Sequence, residues 1–189
     1  MYTDVSLCAK ALIKLGAAPI TSFDDPTVEA QVARQLYAPV RDALLASYPW
    51  SFTVAQARLV RDEAANPTDF AYAYFLPADM LRTISAGAGG RGRGLIFRIR
   101  GDRLFTDAPE VTLTYQRRVP ESLFTAPFVA ALIAKLAAEF ALPLTENAAR
   151  AESLQRLAHE EIRLTRLLDS QQATPMRVED FTLIRARDQ

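Results

Sequence analysis

The stretch YAPVRDALLASYPWSF, residues 37–52, holds both the last turns of a helix and the residue that stops it. Val40 and Leu44 recur four positions apart, which is the spacing of one apolar helix face. Pro49 disfavours a helical backbone at the residue before it, so the helix must end there. The only tryptophan of the chain, Trp50, follows directly. The sequence therefore places its largest side chain at the exit of a helix.

Helical periodicity continues on both sides of the β-like middle of the chain. Apolar residues recur every three or four positions within residues 4–48 and within residues 125–170, which predicts two helices in each range. Pro26 suits the first position of the second helix, and Pro39 inside it predicts a kink or a local break. Pro143 predicts the end of the third helix. Together the helices predict a bundle of about four.

The fourth helix is predicted at about residues 146–169, with Thr145 as its N-terminal cap. Its charged residues are expected to face water. Its apolar residues are expected to face inward, namely Leu154, Leu157, Ile162, Leu164 and Leu168.

Between the two helical parts, residues 51–118 change to a period of two, which is typical of β-strands. The alternation predicts strands at residues 51–60, 70–76, 95–100, 103–106 and 111–116. Gly101-Asp102 is a natural hairpin turn between two of them. The sequence thus predicts a mainly α fold, in which a small antiparallel β insertion separates helices two and three.

The charge of the chain is balanced. Its 189 residues include 22 basic and 22 acidic side chains, so the formal net charge is zero. Dedicated nucleic-acid-binding proteins usually carry a basic excess, so that class is not favoured. Nineteen of the 22 basic residues are arginine. This bias fits either the codon usage of a GC-rich genome or arginine-rich interfaces.

One segment, residues 123–144, is apolar enough to suggest a membrane span. Lys135 and Glu139 lie near its middle, and prolines interrupt it near both ends. The helix between those prolines is too short and too charged to cross a bilayer comfortably. We therefore expect a buried core helix and no membrane association.

Few patterns suggest catalysis. GAGGRG, residues 87–92, matches a dinucleotide-binding fingerprint in its letters only, because a strand pattern and not a helix follows it. Cys8 is the only cysteine, which excludes a disulfide within the chain and a cysteine metal site. His159, the only histidine, is expected on a helix surface. We expect no enzymatic activity, no cofactor and no metal.

The segment 87–94 holds five of the seven glycines, with Arg91 and Arg93 between them. One interpretation is a mobile hairpin tip. The other is a loop that becomes ordered when the two arginines contact a partner or a phosphate backbone.

Several short motifs follow one another in a recognisable order. The first, YxPxRDxLLxxxPWxF, comprises Tyr37, Pro39, Arg41, Asp42, Leu44, Leu45, Pro49, Trp50 and Phe52. The second, YxLPxDxLR, comprises Tyr74, Leu76, Pro77, Asp79, Leu81 and Arg82. GDRLFTDAPEVTLTY and an alanine-rich helix running into ALPLT come later. Over about residues 5–170 this order resembles the tail tubular protein A family of tailed bacteriophages and prophages, whose members are head-to-tail adaptors (connectors).

The resemblance implies a virion structural protein at the head–tail interface, in the neck of the particle, assembled in the host cytoplasm. About twelve copies would form a homo-oligomeric ring beneath the portal protein. The ring would join the portal to a downstream tail or nozzle protein. It would enclose the channel through which double-stranded DNA passes without being read, including during DNA ejection.

The resemblance also implies a division of the chain. Residues 1–170 would form the adaptor domain, and residues 171–189 an extended C-terminal arm that reaches the portal. The arm is expected to be flexible in the free subunit, since alone it buries too little apolar surface to offset its ordering entropy. The candidate portal-binding residues are Phe181, Leu183, Ile184, Arg185 and Arg187.

The residues themselves suggest a role for the exit of helix two. Pro49 stops the helix, and Trp50 and Phe52 are expected to fill the junction between bundle and sheet. Arg41 and Asp42 form either a surface pair or a set of donors for carbonyls freed at the Pro39 kink.

Two other functions remain open at this stage. The first is a soluble nucleic-acid-binding or regulatory module, in which the arginines of hairpin 91–100 contact phosphates. The second is an enzyme with an unrecognised site.

Overall fold

The computed structural model describes residues 2–65 and 69–172. Within them it has four α-helices and six β-strands, with a 3₁₀ turn at Glu121–Leu123. In chain order these are α1 (Asp4–Leu15), α2 (Val28–Ala46), β1 (Val54–Arg58), β2 (Tyr72–Phe75), β3 (Met80–Gly87), β4 (Arg98–Arg100), β5 (Arg103–Thr106), β6 (Thr112–Arg117), α3 (Ala126–Thr145) and α4 (Ala148–Ser170). The predicted β insertion between helices two and three is confirmed, but it forms two sheets, so the fold is mixed α/β.

Local side-chain hydrogen bonds set the helix starts. Thr3 begins α1 with a capping box, in which the Thr3 and Ser6 side chains each bond the other residue's backbone N–H. Gly16 ends α1 in the left-handed region at φ 79°. Thr27 caps α2 by accepting the Ala30 N–H. Pro26 therefore precedes the cap, and its predicted place as the first helical residue is wrong.

Pro39 does not break α2, and Pro143 does not end α3 where predicted. α2 continues through Pro39 as one element, and Pro39 lies on its exposed side. A carbonyl left without a partner there can bond water, which removes most of the penalty. α3 likewise continues past Pro143 to Thr145, whose hydroxyl donates to the Ala141 carbonyl at 2.6 Å. Asn147, and not Thr145, caps α4 by accepting the Arg150 N–H at 3.0 Å.

The third helix is the centre of the bundle and contacts α1, α2 and α4. Phe128, Leu132, Leu136 and Phe140 are fully buried on it. It is the one helix in the described part of the chain that is long and apolar enough to cross a membrane, with a mean hydropathy of 1.7. Its burial at the centre of the bundle confirms the predicted core helix.

The fourth helix buries a different face from the one predicted. Ile162 is buried as expected, and Leu154 is partly buried against the core. Leu157, Leu164 and Leu168, however, are 57%, 47% and 49% exposed. The buried positions are instead Ala158, Ile162, Thr165 and Asp169. Hydropathy misleads here because the inward face carries small and polar side chains.

The two antiparallel sheets each have three strands. Sheet A has the order β1-β6-β3 and sheet B the order β2-β5-β4. The predicted turn at Gly101-Asp102 joins β4 to β5, with Gly101 at φ 58°. Buried side chains from both sheets share a second core, separate from the helical one: Leu59, Tyr74, Ala86, Leu104, Val111, Leu113 and Tyr115.

The sequence analysis missed β3, the longest strand at eight residues. Its register against β6 shifts between Met80 and Arg82 and again between Thr83 and Ser85. Each shift inserts an extra residue and resets the alternation of side chains. No simple period of two is therefore visible in the sequence MLRTISAG.

Candidate functional site

The C-terminal end of α2 is the point where the helical bundle meets sheet A. The last carbonyls of any α-helix lack partners within the helix. Here the Leu44 carbonyl accepts the Trp50 indole N–H at 2.9 Å and the Ser47 hydroxyl at 2.8 Å. The Leu45 carbonyl accepts a hydrogen bond from the side-chain amide Nε2 of Gln116, on β6, at 2.8 Å. The Ala46 carbonyl accepts Nη1 of Arg82, from β3, at 3.2 Å. Side chains of the sheet therefore cap the helix.

Aromatic rings fill the space beside these hydrogen bonds. Trp50 is fully buried, and its ring meets that of Phe128 edge-on at 5.2 Å between centroids. Phe52 packs against Phe128 at 5.1 Å and Phe124 at 6.1 Å. Pro49 precedes Trp50 and is exposed. The predicted junction residues Trp50 and Phe52 thus lie between α2, α3 and the start of β1.

A polar network joins the side of α2 to the segment after β6. Glu121 accepts hydrogen bonds from the Tyr37 hydroxyl at 2.9 Å and from Arg41 at 3.0 Å. Asp42 accepts one from Arg41 at 2.9 Å and one from Arg118 at 2.7 Å. Arg41 and Asp42 are therefore neither an isolated surface pair nor partners of carbonyls at Pro39. They tie α2 to the chain that leads into α3.

The network sets the protonation of its members. Burial alone would raise the pKa of Glu121, but hydrogen bonds from its own backbone N–H, Tyr37 and Arg41 outweigh it and hold that pKa below its usual value. Burial, followed by the hydrogen bond to Glu121, raises the pKa of Tyr37. Glu121 is thus a carboxylate and Tyr37 a neutral donor at neutral pH.

A buried carboxylate joins the end of α4 to the same junction. Asp169 is 7% exposed and accepts the Ser51 backbone N–H at 3.0 Å and the Ser51 hydroxyl at 2.8 Å. The Gln172 side chain also meets the Ser51 hydroxyl, at 3.3 Å. Three helices and one sheet therefore converge within a few residues of Trp50.

The Gly-Arg loop folds back onto sheet A. The Gly92 carbonyl accepts hydrogen bonds from Ser85 at 2.6 Å and Thr114 at 3.1 Å. A Cβ at Gly92 would lie 2.2 Å from the Thr114 hydroxyl, so this approach requires glycine. The middle of the loop is therefore fixed to the sheet, while the side chains of Arg91 and Arg93 are exposed on either side.

The arginines of β4 lie against carboxylates and rings of sheet B. Arg100 bonds Asp69 at 2.6 Å, and Arg98 approaches the same carboxylate at 3.7 Å. The Arg98 guanidinium lies 5.9 Å from the Phe70 ring, and that of Arg100 lies 5.9 Å from the Phe105 ring. The hairpin surface is therefore mixed in charge and partly aromatic.

Sequence reasoning did not single out Gln116, Glu121 or Asp169. Each is a polar residue whose importance depends on a partner 68 to 118 positions away in the chain. Gln116 ends a regular alternation and looks like a surface residue, yet it is fully buried. No local signal in the sequence marks such a residue.

Among the described residues no group of three or more histidine, cysteine or acidic side chains is placed to hold a metal ion. His159 is exposed on α4. Burial raises the pKa of the Cys8 thiol to about 12, with a smaller contribution from Asp4, so Cys8 is not a reactive nucleophile.

The predicted portal-binding residues Phe181, Leu183, Ile184, Arg185 and Arg187 lie outside the described residues. No protein-family model and no curated protein sequence matches the chain. The junction at the end of α2 is thus the best-defined candidate site, and it is a structural one.

The first prediction concerns Trp50. Trp50→Ala should lower the free energy of unfolding by about 3–5 kcal/mol, because it removes a fully buried ring and an indole donor. Trp50→Phe keeps most of the ring contacts and should lose about 0.5–1.5 kcal/mol for the indole hydrogen bond, because Ser47 still donates to the Leu44 carbonyl. Chemical denaturation measures both. A loss below about 1 kcal/mol for Trp50→Ala, the size of an ordinary surface change, would contradict this role.

The second prediction concerns pH. Because Glu121 has a lower pKa in the folded than in the unfolded chain, its contribution to stability is present above the unfolded value of about 4.3 and is lost as pH falls through the folded value. With Glu121→Gln, the free energy of unfolding should therefore decrease less steeply as the pH falls below about 4.3. The control is Glu152→Gln, which alters an exposed pair with Arg156 and should follow the unmodified chain. Identical acid profiles for Glu121→Gln and the unmodified chain would refute the network.

Proposed function

We propose that the chain is a head-to-tail adaptor of a tailed bacteriophage or prophage, similar to the tail tubular protein A family. In this proposal about twelve copies form a ring between the portal and the tail or nozzle protein, in the neck of the virion. The ring encloses the channel for double-stranded DNA. The protein acts by assembly, without catalytic turnover and without a cofactor.

One observation carries the proposal. The two motifs that resemble the family lie more than twenty residues apart in the sequence, yet they meet at the end of α2. Trp50, from the first motif, bonds the Leu44 carbonyl, and Arg82, from the second, bonds the Ala46 carbonyl. The backbone carbonyl of Asp79, also in the second motif, accepts the Arg118 backbone N–H at 2.8 Å. The motif residues thus act as one structural unit, as expected if they are kept together to maintain a shared fold.

The geometry suits a subunit that works by holding its shape. The helical core and the sheet core are separate, so their relative position depends on the junction between them. That junction combines capped carbonyls, a buried ring cluster and the Glu121 network. A ring subunit must present one surface to the portal and another to the tail at a fixed distance, and a rigid joint between two cores meets that need.

The arm belongs to the same proposal. Phe181, Leu183 and Ile184 offer apolar side chains, and Arg185 and Arg187 offer charged donors. Such a segment suits binding by strand addition or by packing into a groove of the portal ring. α4 leads directly into it, and Asp169 fixes the end of α4 to the junction.

The nucleic-acid-binding alternative is less well supported. Two of its four candidate arginines, Arg98 and Arg100, already share the Asp69 carboxylate. A phosphate would have to compete with that carboxylate for both guanidinium groups. Arg91 and Arg93 are exposed and remain candidates for contact with DNA backbone, portal or tail within the adaptor.

The third prediction tests the arm. A chain truncated after Gln172 keeps the contacts of Ser51 with Asp169 and Gln172. Its thermal midpoint should change little, whereas stable docking to the portal ring should be lost. Calorimetry and negative-stain images of the protein mixed with its portal measure the two effects. Undiminished docking would end the arm hypothesis, and a collapsed midpoint would place residues 173–189 in the subunit core.

The fourth prediction concerns DNA. The isolated protein should bind duplex DNA weakly and without sequence preference, because the formal net charge is zero. Filter binding at several salt concentrations, with two unrelated duplexes, measures affinity and preference. Tight binding that depends on sequence would contradict the adaptor function. Tight, strongly salt-dependent binding without preference, reduced by Arg91→Ala, would favour the alternative.

A further inference from the structure

Four leucines form an exposed apolar stripe on α4. Leu157, Leu164 and Leu168 lie within about 40° of one another around the helix, since each residue advances it by about 100°. They are 57%, 47% and 49% exposed, and neighbouring Leu167 is 55% exposed. We call these four residues the leucine stripe. It runs from Leu157 to Leu168, which are about 16 Å apart along the helix axis.

The stripe is not covered because α4 packs mainly on α3. Small side chains make that contact, with Ala134 and Ala138 against Ala158. The buried face of α4 centres on Ala158, Ile162 and Asp169, about a third of a turn from Leu157, Leu164 and Leu168. Scattered single leucines on a surface are ordinary, whereas three aligned leucines with Leu167 beside them indicate a contact surface. The half-buried Glu161 lies between Leu157 and Leu164 in this surface.

A second surface of the same chain could receive the stripe. The outer face of α2 presents five exposed, uncharged residues, with the exposed Arg34 beside them: Val28, Gln31, Gln35, Ala38 and Pro39. From Val28 to Pro39 this row also extends about 16 Å along the helix axis. We call it the α2 row.

The α2 row borders two depressions. One, of about 260 Å³, is lined by Gln31, Val32, Gln35, Leu36 and Pro143. The other, of about 490 Å³, extends to the start of α2 and shares Gln31 and Gln35. Three apolar side chains and two neutral amides line the first depression, which suits leucine side chains inserted from another helix.

The two surfaces lie on different sides of the bundle. Ala134 and Ala138 face α4, whereas Leu136 and Phe140, about 200° further around α3, belong to the core that includes α1 and α2. One copy cannot bring its own stripe to its own row. A contact between two different surfaces on two copies is heterologous, and such contacts close into rings when the rotation permits.

We propose that the leucine stripe of α4 packs into the α2 row of a second copy of this chain. The inference rests on the proposed ring and assigns the surfaces that build it. It goes beyond the proposed function by naming a bundle-to-bundle contact, distinct from the portal-binding arm and from the Gly-Arg loop.

Cysteine cross-linking tests the proposal directly, because the only native cysteine, Cys8, is fully buried and unreactive. A chain carrying both Gln35→Cys and Leu164→Cys, treated with a flexible bis-maleimide, should give a ladder of dimers, trimers and larger species. Each single variant alone should give none. An equal mixture of the two single variants should stop at the dimer, because each pair uses up both cysteines.

Leu168→Gln and Leu123→Gln form a matched pair for light scattering, since both leucines are 49% exposed and only Leu168 belongs to the stripe. Leu168→Gln should weaken self-association at least tenfold, and Leu123→Gln should leave it unchanged. Equal behaviour of the two variants would overturn the proposal. Dimers from Leu164→Cys alone would also overturn it, because they would indicate a symmetric contact between two stripes.

Two further results separate this inference from the adaptor function. If the chain associates but the double variant gives no cross-links, the ring uses other surfaces and only the assignment fails. If the chain does not associate at any concentration, the assigned contact between free copies is refuted. The adaptor function is then tested separately, by whether the chain docks to the portal ring.

Discussion

The fold depends on how the carbonyls at the end of α2 find partners. A helix that stops inside a protein leaves buried acceptors, each costing about 1–3 kcal/mol if unpaired. Here the acceptors of Leu44, Leu45 and Ala46 are paired by side chains of Trp50, Gln116 and Arg82. Those donors come from the chain just past the helix and from two strands of sheet A. The requirement to satisfy one helix end therefore fixes the position of the sheet.

Other features of the junction follow from this requirement. Pro49 ends the helix, and the backbone turn after it brings the Trp50 indole back to the Leu44 carbonyl. Gln116 lies on β6, the central strand of sheet A, so its bond to the Leu45 carbonyl orients β1 and β3 as well. The Glu121 network then secures the chain leaving β6 against the side of α2. Together these contacts join the insertion to the bundle through side chains of α2, β3 and β6.

The sequence predicted what local periodicity and turn chemistry control. The four helices, the Gly101 turn, the insertion between helices two and three and the burial of α3 all follow from spacing within a few residues. Effects of two kinds were missed. The bulges of β3 removed the alternation of its side chains. The helices α2 and α3 also continue past Pro39 and Pro143. Neither the solvent exposure of Pro39 nor the partners of Gln116 and Asp169 can be predicted without the tertiary structure.

The fourth helix shows most clearly that hydropathy alone does not predict the buried face of a helix. Thr165 and Asp169 are buried, while Leu157, Leu164, Leu167 and Leu168 are exposed. The inward polar groups have partners, since Thr165 donates to the Pro127 carbonyl at 3.2 Å and Asp169 accepts from Ser51. These polar contacts help to hold α4 against its own bundle, while four of its leucines stay exposed to solvent. Ala158 and Ile162 complete the inward face, so Leu157, Leu164 and Leu168 are not needed to hold α4 in place, and their alignment fits the proposed contact with a second copy.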